Sequence, residues 1–138
     1  MIEKSTVKAV DFDGTMAFYE GIEGDYAPDK VGGPIELMVA RVKAWLAAGK
    51  KVVIFTARVN PFHGKDDVEL ARKTIQDWCK KYIGCELEVT HEKHPSFEEV
   101  WDDKAVRVVK DNGAISDGTD VDDPLVKKEA DAIGSFFG

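Results

Sequence analysis

Cysteine is scarce in this chain, and its two cysteines, Cys79 and Cys85, form neither a C-x-x-C pair nor a zinc-binding spacing. The three histidines add no metal signature, because His91 and His94 have no carboxylate or cysteine partner at zinc-like spacing. We therefore expect free thiols in a reducing compartment, with Cys79 packed on a helix.

Long hydrophobic runs are also missing. No apolar stretch approaches the ~20 residues that a membrane-spanning helix needs. The polar start, residues 1–6, lacks the hydrophobic region of a signal peptide. We expect a cytoplasmic protein that has no membrane partner.

Positive charge is in deficit, since 19 Lys and Arg against 26 Asp and Glu give a formal net charge of −7. This balance argues against broad binding to nucleic acids or anionic membranes, although it is compatible with a local basic site. At 138 residues and 43% hydrophobic content, the chain is predicted to form a single domain over 1–138. We expect its core at about 5–110 and an acidic tail with a closing helix at 111–138.

Apolar runs alternate with segments of helical periodicity, which predicts an α/β fold with a mainly parallel sheet. Three strands are predicted at 7–10, at 52–55 and near 87–90. A fourth strand is predicted to end at 103, and a short fifth strand to cover 105–109. Helices are predicted after Pro34, from a capping box of Asp66 and Glu69, for about one turn within 95–99, and in the tail. The Gly-rich segment 18–33 is predicted to be a flap, in which Phe18 and Tyr19 either stack on a substrate ring or pack internally.

The most informative motif is Asp11-Phe-Asp13-Gly14-Thr15, directly after the first apolar run. Residues i and i+2 of a strand point to the same side, so Asp11 and Asp13 are expected to face one site. Two like charges so close need a bound cation or a shared proton, and Mg²⁺ is the common cation where phosphate is also bound. A calcium loop of the EF-hand type is disfavoured, because its twelfth position is Ile22 instead of Glu, whereas a plain solvated turn stays open.

Polar side chains follow the other predicted strands as well: Thr56 and Arg58, Lys93, and Asp102 with Asp103. The carboxyl ends of parallel strands gather at one edge of a sheet, where ligands bind. Packing alone does not readily explain why several strands end in carboxylate, hydroxyl and positively charged side chains at one edge of the sheet. The pattern favours phosphoryl chemistry over a purely structural use of these residues.

Each of these residue types suits one task in the cleavage of a phosphate ester. Asp11 could attack phosphorus to give an aspartyl-phosphate, and Asp13 could protonate the leaving oxygen and later activate water. Asp102, with Asp103 near it, could complete the Mg²⁺ shell. The other groups could contact the phosphate, namely the Thr56 hydroxyl, the Lys93 ammonium and, through a sharp turn that exposes backbone amides, Gly14.

This set resembles the haloacid dehalogenase superfamily of phosphohydrolases, whose motifs occur in the same order over about residues 7–109. Thr56-Ala-Arg58 and Asp102-Asp103-Lys104 look like the phosphatase domain of polynucleotide kinases and related phage-type members, although Lys104 replaces the Arg common there. The resemblance implies a Rossmann-like three-layer α/β/α fold. If the chain is encoded by a phage, as this resemblance suggests, we expect it in the host cytoplasm. The short intervals between the motifs leave no room for a large cap domain.

The resemblance also implies site roles. The metal would be held by Asp11, the backbone carbonyl of Asp13, Asp102 and Asp103. The substrate would contact Gly14, Thr15, Arg58 and Lys104, and the lysine that stabilises the phosphate is either Lys93 or Lys104, unless Lys93 is simply solvated.

We expect a Mg²⁺-dependent phosphatase that hydrolyses phosphomonoesters through an aspartyl-phosphate, with nucleotides among the candidate substrates. The alternatives are a 3′-phosphatase on nucleic-acid ends, a phosphotransferase, and a non-catalytic binding protein of the same fold. Because of the net charge, a small phosphorylated substrate is favoured over a nucleic-acid end. The identity of the substrate and the oligomeric state do not follow from the sequence.

Overall fold

The computed structural model describes residues 6–19, 26–116 and 124–137. The chain divides into two compact units, Met1–Asp103 and Lys104–Gly138. Among the residues described, the first unit contains a sheet and two α-helices, and the second contains one α-helix, Pro124–Phe137, as predicted for the tail. None of the helices in the described ranges is long and apolar enough to cross a membrane.

The sheet has four parallel strands in the order β3-β2-β1-β4. The strands are β1 (Val7–Val10), β2 (Lys51–Phe55), β3 (Glu88–Thr90) and β4 (Phe97–Trp101). All four residues of β1 are buried, as are the three central residues of β2, which fits two central strands covered on both faces. The predicted α/β class with a parallel sheet is therefore confirmed.

Two helices, α1 (Glu36–Ala47) and α2 (Lys65–Tyr82), pack against one face of this sheet. Their apolar stripes share a core with alternate strand residues, and Ile75 of α2 is fully buried with Val10 and Ile54. Phe12, just past β1, meets Trp78 of α2 edge to face at 5.1 Å between ring centroids. This packing fixes the chain that leaves the carboxyl end of β1.

The opposite face of the sheet carries a smaller cluster of Val7, Ala9 and Val53, with Phe55 and Phe97 packed against it. Both helices of the first unit lie on the other face. The three-layer arrangement implied by the family resemblance stays a prediction.

Three local predictions are wrong. The predicted helical turn at 95–99 is largely strand, because β4 already begins at Phe97, which pairs with Val7 and packs on Phe55. The predicted strand at 105–109 forms only an isolated bridge between Val108 and Ile115, and Val108 is exposed, so burial contributes little to strand formation there.

The capping box at the start of α2 is also wrong. The helix begins at Lys65 and its N-cap is Gly64, which has no side chain to accept the first N–H groups. Asp66 therefore lies inside the first turn with Asp67. There, the two negative charges interact favourably with the positive end of the helix dipole.

Candidate functional site

Three aspartates meet at the carboxyl ends of two neighbouring strands. Asp11 follows β1, and Asp102 and Asp103 follow β4; the two strands pair in parallel up to Val10 and Trp101. The Asp11 N–H donates to the Trp101 carbonyl at 2.8 Å, so the alignment continues past the strands. One carboxylate oxygen from each aspartate lies within 4.8 Å of the other two. The structure thus brings together three of the side chains predicted to hold a metal.

Asp11 is half-buried in this acidic cluster. Burial, followed by the charges of Asp102 and Asp103, raises the pKa of Asp11 from 3.8 to about 7. Close carboxylates of this kind are costly unless a cation neutralises them, and an all-oxygen set suits a hard divalent ion. The donors fit such an ion, and the choice of Mg²⁺ stays a prediction.

Thr15 and Gly14 hold the acidic cluster in place. The Thr15 hydroxyl donates to Asp103 Oδ1 at 3.1 Å and accepts the Asp103 N–H at 3.0 Å, which joins the turn after β1 to the end of β4. Gly14 has φ +81°, and a Cβ there would lie 2.9 Å from Asp103 Oδ2. Only glycine permits both the turn and the close approach of Asp103. Contact of either residue with a substrate stays a prediction.

Asp13 lies beside a buried arginine. Arg58 is 4% exposed and binds both Asp13 oxygens, with Nε 2.6 Å from Oδ2 and Nη2 2.9 Å from Oδ1. The other guanidinium hydrogens point to the carbonyl of Lys30 at 2.9 Å and, more weakly, to those of Ala27 and Pro28 at 3.5 Å. Arg58 therefore connects Asp13 to residues 27–30 of the predicted flap, and its contact with substrate stays a prediction.

Arg58→Ala is expected to lower the free energy of unfolding by about 2 kcal/mol, because it leaves Asp13 and three carbonyls without their donor. Arg58→Lys should recover only part of this loss, since an ammonium cannot bind both carboxylate oxygens in the planar geometry of guanidinium. Urea denaturation in EDTA measures both effects. Lys43→Ala, an exposed substitution on α1, is the control and should stay within about 0.5 kcal/mol of wild type. Equal stability of Arg58→Ala and Lys43→Ala would contradict the assignment.

Thr56 is buried at the carboxyl end of β2, where its N–H donates to the Thr90 carbonyl at 2.9 Å. Its hydroxyl oxygen accepts the Arg58 N–H at 3.2 Å and thereby caps the short 3₁₀ turn Ala57–Val59. The hydroxyl hydrogen is not used in that bond. A role for Thr56 on a phosphate oxygen stays a prediction.

The two candidate lysines, Lys93 and Lys104, are both exposed. Lys93 is exposed and lines a cavity of about 420 Å³, together with Val7, Val53 and Phe97 of the sheet face opposite the helices. No described contact joins it to the three clustered aspartates. Lys104 is exposed and begins the second unit. The role of either lysine toward a phosphate stays a prediction.

A set of stacked rings that the sequence did not indicate lies beside Arg58. Tyr26 lies over the Arg58 guanidinium, whose Cζ is 5.3 Å from the ring centroid. His63 stacks on Tyr26 at 4.8 Å between centroids, and Phe62 contacts His63 at 4.0 Å. Because Tyr26 lies in an irregular segment and His63 lies in the short 3₁₀ turn Pro61–His63, far away in sequence, no periodicity could indicate the contact. Phe18 and Tyr19 are about half exposed, and residues 20–25 of the predicted flap lie outside the described residues.

Comparison of the chain with protein-family models, with curated protein sequences and with solved structures finds no match. The family therefore stays a prediction that depends on the motifs and on the geometry described above.

Proposed function

We propose that this protein is a Mg²⁺-dependent phosphatase that hydrolyses phosphomonoesters through an aspartyl-phosphate on Asp11. The observation that carries the proposal is the cluster of Asp11, Asp102 and Asp103, which is built from two strand ends and contains one half-buried and two exposed aspartates. Carboxylates this close together lower the stability of the folded protein when no metal is bound. Such unfavourable arrangements are found at sites where function requires them.

The metal would be held by carboxylate oxygens of Asp11, Asp102 and Asp103 and, as the family resemblance implies, by the backbone carbonyl of Asp13. When bound, Mg²⁺ supplies charge neutralisation between the nucleophile and the phosphate. Thr15 and Gly14 support this set by fixing the position of Asp103.

Asp11 would act as the nucleophile. One of its oxygens bonds to phosphorus while the bond from phosphorus to the leaving oxygen breaks, and a proton from Asp13 completes the alcohol product. Water then attacks the aspartyl-phosphate and gives a proton to Asp13, which releases inorganic phosphate and restores Asp11. Arg58 would limit the movement of Asp13 through its two hydrogen bonds.

Thr56 would contact a non-bridging oxygen of the phosphate. Its oxygen already accepts the Arg58 N–H, so its own hydrogen can be donated. Charge on the transferring group sits on these oxygens in the transition state, where a fixed donor stabilises it most.

A phosphate-release screen tests the proposed function. The substrates are p-nitrophenyl phosphate, nucleoside monophosphates, sugar phosphates and a 3′-phosphorylated oligonucleotide, each with Mg²⁺ or with EDTA. We expect release that needs Mg²⁺, disappears in EDTA and returns when excess Mg²⁺ is added. Phosphate release at the same rate in EDTA would contradict the role of the aspartate cluster.

A further inference from the structure

The ring stack, which consists of Tyr26, His63 and Phe62, begins at the Arg58–Asp13 pair and ends at the surface. Tyr26 covers the guanidinium, His63 covers Tyr26 at an interplanar angle of 29°, and Phe62 contacts His63 at 36°. The stack thus leads from the carboxylate proposed to protonate the leaving oxygen to an exposed aromatic ring.

The exposed end of the stack is well positioned by its backbone. Phe62 lies in the short 3₁₀ turn Pro61–His63, and the Asn60 side chain accepts the Phe62 N–H at 3.0 Å. The Gly64 N–H closes the turn on the Pro61 carbonyl at 3.0 Å. Phe62 is nonetheless 76% exposed, although the turn and the His63 ring hold it in one place. Exposure of a phenyl ring to water is unfavourable.

We propose that the ring stack binds a planar aromatic ring in the leaving group of the substrate, such as the base of a nucleoside monophosphate. This inference rests on the proposed function, because Asp13 must lie next to the leaving oxygen. Arg58 binds Asp13 and also lies 5.3 Å from the centroid of the Tyr26 ring, so a leaving group bonded at that oxygen would extend toward the ring stack. Stacking on an ordered aromatic side chain is favourable for every base.

A mononucleotide fits better than a nucleic-acid chain. The helix that follows the stack opens with Asp66 and Asp67, and the whole chain has a net charge of −7. These charges repel the additional phosphates of a longer strand, whereas a single phosphate would be bound at the metal site. Stacking, in contrast, needs no positive charge.

The same rings could instead have a purely structural role, in which they pack residues 26–30 against the turn at 61–63. Tyr26 and His63 make that connection, whereas Phe62 lies at the outer end and contributes little buried area. Substitution of Phe62 therefore distinguishes binding of a substrate ring from a purely structural role.

The test compares adenosine 5′-monophosphate with ribose 5-phosphate, which lacks the base. In Phe62→Ala, we expect the ratio of their kcat/KM values to fall at least about fivefold, whereas Phe62→Trp should preserve it. The control is Leu37→Ala, which removes a side chain of similar exposure (62%) on α1 and should leave the ratio unchanged. An unchanged ratio in Phe62→Ala would overturn the inference.

A binding measurement separates this inference from the proposed function. With Mg²⁺ present, adenosine 5′-monophosphate should shift the ring-proton NMR resonances of His63 and Phe62, whereas ribose 5-phosphate should not. If no ester of the phosphate-release screen is hydrolysed, the proposed function fails, and a base-dependent shift still supports the ring site. Absence of any shift with the nucleotide would overturn the inference, whatever the hydrolysis assay gives.

Discussion

Asp11→Asn is expected to lower the turnover of every phosphomonoester by at least about 10⁴-fold, because a neutral amide is a poor nucleophile. The fold should survive, since Asn has nearly the shape of a protonated Asp. Phosphate release measured on wild type, Asp11→Asn and Asp77→Asn checks this result. Asp77 is an exposed aspartate on α2, and the same Asp-to-Asn change there should leave activity within about twofold. Near wild-type activity in Asp11→Asn would end the mechanism.

The same variant should be more stable than wild type when no metal is bound. The folded-state pKa of Asp11, about 7, lies above its ordinary value of 3.8, so folded protein holds this proton more tightly than unfolded chain. The free energy of unfolding therefore falls as the pH rises from about 4 to about 7. At pH 8 in EDTA, we expect Asp11→Asn to gain about 1 kcal/mol, after allowance for solvent screening of a half-exposed group.

This gain should shrink as the pH falls from 7 toward 4, because wild-type Asp11 then becomes protonated and neutral like Asn. Urea denaturation in EDTA at pH 8 and pH 5 measures the difference. A variant that is no more stable than wild type at pH 8 would show that the acidic cluster is not strained in the metal-free protein.

Asp13→Asn is expected to lower the turnover of alkyl phosphates by about 10²–10⁴-fold, because an amide cannot donate the proton that an alkoxide needs. The first step with p-nitrophenyl phosphate should be affected least, since p-nitrophenolate leaves without a proton. Rapid mixing should show one fast turnover of this ester per active site, followed by slow release of phosphate. Equal losses for alkyl and aryl esters in the first step would show that Asp13 is not the acid.

The meeting of Asp11 with Asp102 and Asp103 could be predicted from the sequence, because parallel strands that end at one edge of a sheet bring the residues after them together. That Asp11 and Asp13 face one site stays a prediction, because the rule for residues i and i+2 holds within a strand and β1 ends at Val10. The chain then turns at Gly14, and the position of the Asp13 carboxylate depends on Arg58, 45 residues away.

The remaining differences also come from contacts between distant segments. Phe97 joins a strand because its ring packs on Phe55, which a helical pattern at 95–99 cannot reveal. Lys93 follows β3 in sequence, yet it lines a cavity with residues of the sheet face opposite the helices. Local sequence patterns identify which strands end in polar side chains, whereas tertiary packing decides which way each following loop runs.

The most direct test of the central claim is chemical identification of the aspartyl-phosphate. Asp13→Asn is suited to it, because slow activation of water should let the intermediate accumulate. The protein is mixed with p-nitrophenyl phosphate and Mg²⁺, quenched rapidly in acid, reduced with borohydride and digested for mass spectrometry. We predict homoserine in place of Asp11, the product of reducing its acyl-phosphate, and unmodified Asp11 when substrate or Mg²⁺ is omitted. Fast first turnover of p-nitrophenyl phosphate with no modification of Asp11, or with modification of another residue, would contradict the account.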